Sequence, residues 1–124
     1  MADYLASAPE AGRGWLREFW TYVDAHYPTV PLVMFRAVPM YKFEDSYLKG
    51  YVMFTAAKTH FATHAIDFDL VSEYRARIPG AAGGKGNVAV KYPNVAAQPL
   101  LKEFVDAVMA RHEVPRVRAL RRAR

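Results

Sequence analysis

The side chains that could do chemistry cluster in the middle of the chain: His60 and His64, Lys58, Lys85 and Lys91, and the carboxylates Asp67, Asp69 and Glu73. Two histidines four residues apart converge on one metal ion when they lie on a helix. In a strand, at ~3.3 Å per residue, they stand ~13 Å apart and cannot share an ion. Thr59 to Ile66 reads as a strand, so a shared site is not expected. The metal alternative is His60 with Asp67 and Asp69, the latter two being hard oxygen donors. A helix start explains the same carboxylates without an ion: Asp67 caps it, and Asp69 and Glu73 favour its positive end.

Gly83-Gly84-Lys85-Gly86-Asn87 invites a phosphate reading, because glycines let backbone N–H groups approach an anion and Lys85 adds charge. The spacing is not that of a nucleotide loop. No Ser or Thr follows the lysine, and a strand follows where that motif has a helix. The other reading is a turn whose glycines serve only the backbone. Ser7, Ser46 and Ser72 have no nucleophile motif around them, and His26 and His112 sit near expected helix ends, where histidine is favoured. There is no cysteine, which excludes thiol nucleophiles, disulfide scaffolds and Cys-ligated metals. No catalytic residue and no cofactor are assigned.

The elements that position these residues follow from periodicity. Trp15, Leu16, Phe19, Trp20, Val23 and Tyr27 recur at helical spacing from Gly14 to Tyr27, and Pro28 ends the run. A short helical turn is expected over Asp3 to Ala8. Leu32 to Val38 reads as one strand stopped by Pro39. Lys49 to Ala56 and Thr59 to Ile66 read as a hairpin turning at Ala57-Lys58. That turn pairs Thr55 with His60, Met53 with Ala62 and Tyr51 with His64 on one face, and leaves Val52, Phe54, Phe61 and Thr63 on the other. The second face is the more apolar and is expected under the helices. A helix from Phe68 to Ile78, a strand containing Val88, Val90 and Tyr92, and a helix from Ala97 to Arg111 complete the series. The predicted fold is α+β, an antiparallel four-stranded sheet with helices on one face, in the order α-β-β-β-α-β-α.

At 124 residues and 52% hydrophobic composition, one domain with its own core is expected. The net charge of +5 is local: five of the 17 basic residues lie after Pro115, and the remaining 12 match the 12 acidic ones. Residues 1–115 are therefore read as the domain and 116–124 as an Arg-rich tail. Nucleic acid is expected only through that tail, if at all. Met1-Ala2-Asp3-Tyr4 lacks a basic region with an apolar run behind it, and no stretch approaches the ~20 apolar residues of a membrane span. A cytoplasmic protein without membrane attachment is expected.

From about Gly14 to Arg111 the chain resembles the YdhG-like family of small bacterial domains, most of which have no assigned function. The matching positions are Pro39 and Tyr41, Lys58 and His60, Gly84-Lys85-Gly86, Pro99-Leu100 and Arg111. The family's Tyr-Gly-Met before the proline is Arg36-Ala37-Val38 here, and Leu32 or Val33 stands where it carries an acidic residue. One branch is similar to frataxin-like intracellular iron chaperones, so the resemblance implies metal handling as an alternative function. The leading expectation is a non-enzymatic domain that binds a small anionic molecule or partner on an open sheet face. Its candidate residues are Tyr41, Tyr51, Lys58, His60, His64, Lys85 and Lys91. Association through the open face, as a homodimer, is a third expectation.

Overall fold

The computed structural model describes residues 1–118, and the helical stripe read from the sequence is buried in it as expected. The helix extends further at its N-terminus than its aromatic residues suggest. It runs Glu10–His26 (α2), preceded by a short helix, Ala2–Ser7 (α1), with Pro9 between them. Trp15, Leu16, Phe19, Trp20 and Val23 point into the core. Proline suits this junction because its missing N–H would have no partner at a helix start.

The sheet has five strands rather than four, because the segment read as one strand is a hairpin. Leu32–Phe35 (β1) and Val38–Lys42 (β2) pair antiparallel, with Phe35 opposite Val38 and Met34 opposite Pro39. The two-residue turn between them is Arg36-Ala37, and both residues adopt positive φ, 50° and 67°. Such turns normally carry Asn, Asp or Gly, so nothing in the sequence marks this one. Pro39 does not end a strand here. It lies opposite Met34, and the ladder to the next strand begins one residue later, at Met40.

The remaining elements are Tyr51–Ala56 (β3), His60–His64 (β4), Phe68–Arg77 (α3), Asn87–Lys91 (β5) and Gln98–Arg111 (α4), with 3₁₀ turns at Tyr47–Lys49 and Val95–Ala97. The strands are ordered β1-β2-β3-β4-β5, all antiparallel. The β3–β4 turn is displaced by one residue from the sequence reading. Ala57 N–H donates to His60 C=O at 2.8 Å, so Lys58-Thr59 is the turn, and Met53 faces His64 and Thr55 faces Ala62. Moving a two-residue turn by one position shifts partners by two, and side chains alternate with period two. Every residue therefore keeps its predicted face despite the changed pairing.

Val52, Phe54, Phe61, Thr63, Val88 and Val90 form the covered face and are fully buried. Above them α2 packs against β3 and β4, α3 against β5, and α3 against α4. Tyr4 of α1 closes this layer, its hydroxyl accepting from Ala56 N–H at 3.0 Å. Among the described residues the opposite face carries no helix, and its β3 to β5 residues are partly exposed. Its β1 to β3 half is not bare, however. The Tyr47 ring folds onto it, 5.1 Å from the Phe35 ring and 6.4 Å from that of Tyr51, and Met40 is buried there.

The start of the Arg-rich segment is tied down. Arg116 donates to the Tyr22 hydroxyl at 3.1 Å and lies 3.6 Å from Asp106, while Val117 N–H donates to His26 C=O. Arg121, Arg122 and Arg124 lie outside the described residues. Among those described, no helix is long and apolar enough to cross a membrane.

Candidate functional site

The candidate residues do not form one site; they divide between the two ends of β4 and the core. Lys58, His60 and Lys91 come together at one end. His60 is the first residue of β4 and pairs directly with Lys91, the last of β5, so their side chains share the helix-free face. Lys58 stands beside them in the turn. With Thr59, Ala11, Tyr92 and Pro93 these residues line a surface depression of about 640 Å³. It wraps the end of the sheet, since Lys91 and Tyr92 alternate to opposite faces and Ala11 belongs to the first turn of α2.

The base of this depression is firmly built. The Tyr92 hydroxyl donates to Ala57 C=O, its N–H to Thr59 C=O at 3.4 Å, and its ring lies 6.5 Å from that of Trp15. Gly12 lets α2 approach this closely, for a Cβ there would lie 2.6 Å from the Tyr92 hydroxyl and 2.7 Å from the Ala56 methyl. Nδ1 of His60 lies 2.6 Å from the Thr59 hydroxyl, which leaves Nε2 for a ligand. Among the described residues neither Lys58 nor Lys91 has a carboxylate partner; the carboxylates that form ion pairs are held by other cations.

His64 sits at the far end of β4, opposite Met53 and Asn87. Its Nε2 lies 2.8 Å from the Thr55 hydroxyl, and burial holds its pKa below the ordinary 6.5 by penalising the imidazolium. Lys85 is at this end too. The Gly86 carbonyl accepts from Ala65 N–H at 3.1 Å, and the Lys85 ammonium lies 4.7 Å from the centre of the Phe68 ring. The helix-free face thus has Lys58 and His60 at one end and Lys85 at the other, separated by the length of β4. Gly83 has φ of +116°, and a Cβ on it would lie 2.5 Å from Asn87 C=O, so this glycine is required by the backbone.

Tyr41 is not on the helix-free face. It points into the core, 1% exposed, where its hydroxyl donates to Asp24 at 2.9 Å. Burial, then the Asp24 charge, raises its pKa well above the ordinary range. Tyr51 remains on the helix-free face but packs beside Tyr47, away from the depression.

The metal alternative also separates. His60 begins β4, whereas Asp67 and Asp69 follow its other end. Asp67 occupies the N-cap position of α3 without making the side-chain cap expected of it. Its buried carboxylate instead accepts from His112 Nε2 at 3.0 Å and lies 3.7 Å from Arg111. Asp69 accepts two bonds from Arg111, at 2.6 and 2.8 Å, and this lowers its pKa to about 2. His112 is thus more than a helix-end histidine: it joins α4 to the start of α3. Among the described residues no three of His, Asp and Glu are placed to hold a metal ion.

Sequence reasoning missed Ala11, Thr59, Tyr92 and Pro93. The hairpin and the Pro93-Asn94 turn were legible, but nothing local shows that α2 begins early enough to bring Ala11 beside them.

No family model matches the chain, and no curated protein matches it significantly. In fold the chain is similar to YdhG of Bacillus subtilis, a protein of the DUF1801 family, whose crystal structure superimposes with a TM-score of 0.72. The match covers 90% of each chain at 16% sequence identity. The architecture is thus that of a YdhG-like α+β domain.

Proposed function

We propose that this protein is a binding domain rather than an enzyme, and that it holds a small anion at the end of the sheet between Lys58, His60 and Lys91. The observation that carries the reading is the pairing of His60 with Lys91 beside Lys58, around one depression, with no carboxylate partner on either lysine among the described residues. Two lysines that line one depression without a carboxylate partner favour an anion there, which gains charge-assisted contacts with both. The His60 ring supplies a third polar contact, and the Lys58-Thr59 turn is fixed by the Ala57–His60 hydrogen bond.

The test is thermal unfolding of the purified protein in a panel of phosphate and carboxylate compounds, together with the Lys58→Ala/Lys91→Ala double variant. Ligands should raise the Tm of the parent protein in a concentration-dependent and salt-sensitive way, and the double variant should not respond. A panel that leaves the parent Tm unchanged at millimolar concentration removes the proposal.

A further inference from the structure

We infer that the anion taken at this site is carried on an apolar body, as in an aryl phosphate or aryl carboxylate, and is not a bare inorganic ion; this rests on the anion reading above. The residues around the depression are of two kinds: Lys58, His60 and Lys91 bring charge, and Ala11, Pro93 and the largely buried Tyr92 are apolar. Ala11 and Pro93 are exposed. A bare phosphate between the lysines would leave those apolar surfaces in water. A ligand with an apolar body covers them while its charged end stays with the ammonium groups.

The size agrees. About 640 Å³ is far more than orthophosphate or acetate fills, and it falls in the range of sites for small organic molecules. The apolar part is also preformed. Tyr92 is fixed by its hydroxyl on Ala57, by its backbone on Thr59 and by Trp15, and α2 passes close to it at Gly12. A preformed wall loses little conformational freedom when a ligand covers it, so the added apolar contact appears in the affinity.

The experiment is an NMR titration of the isotopically labelled full chain with phenyl phosphate, orthophosphate and benzyl alcohol in turn, following the amides of Ala11, Lys58, His60 and Tyr92. Phenyl phosphate should bind about tenfold tighter than orthophosphate, and benzyl alcohol more weakly than phenyl phosphate. The shifts should centre on those four amides and disappear in the Lys58→Ala/Lys91→Ala variant. Equal affinity for phenyl phosphate and orthophosphate overturns this inference while leaving anion binding in place. Equal affinity for phenyl phosphate and benzyl alcohol overturns it too, as do shifts centred elsewhere. If neither anion binds, the anion reading itself falls.

Discussion

His64 shows how one side chain links burial to solution behaviour. Its folded pKa lies below the ordinary 6.5 because burial disfavours the charged ring. As pH falls through 6.5 the unfolded chain takes up a proton before the folded one does, so this residue's contribution to stability is full above that value and is lost progressively below it. His64→Gln, which keeps a polar partner for Thr55, should therefore flatten the acid side of the stability profile. Urea midpoints measured from pH 8 down to pH 5 check this, and parallel profiles for the two proteins would refute it. The sequence carried only part of this. Strand spacing was enough to separate His64 from His60, but the Thr55 contact depends on which residues face each other, and that moved with the turn. Tyr41 was misplaced for a related reason. Its face is set by β2, a strand hidden behind an unmarked turn.

At the scale of elements, that turn is the informative feature. Arg36 and Ala37 both occupy the left-handed region, where a Cβ crowds the following carbonyl at a cost of about 1 kcal/mol or more per residue. Ala37→Gly should therefore raise stability by up to about 1 kcal/mol, less the entropy that glycine adds to the unfolded chain. A higher urea midpoint with an unchanged m-value is the expected outcome, and a lower midpoint would mean that the methyl group has a packing role. The helices were the legible elements, because their apolar stripes are long and strongly periodic. The hairpin was not, because its turn lacks the residues that relieve positive φ. Both faces of the β3–β4 pair were still assigned correctly, since the two-residue alternation survives a one-position slip of the turn.

Across the whole molecule, Asp106 gathers contacts from distant parts of the chain. Its carboxylate accepts from Tyr22 at 2.8 Å, in the C-terminal half of α2, and from Tyr27 at 2.6 Å, just past the end of that helix, and Arg116 lies 3.6 Å away. Tyr27 is 2% exposed, so in the folded protein its hydroxyl depends on that acceptor. Asp106→Ala should cost about 1–3 kcal/mol, and a chain ending at Pro115 should lose less, because both tyrosines keep their acceptor. Chemical denaturation of the two variants gives the comparison, and a larger loss on truncation would overturn it. None of this long-range wiring was readable beforehand, since it joins residues separated by most of the chain. The edges of the sheet have a consequence of the same reach. Ala82 bridges to Ala89 through both main-chain groups, at 2.8 and 2.9 Å, and Asn94 takes the Lys91 carbonyl, so β5 offers little to a further strand. β1 is the other edge, only four residues long, with Leu32 and Met34 exposed. Among the described residues β1 is the edge left for strand addition, so two copies joined there about a two-fold axis would use up each other's edge and leave none for growth into a fibre.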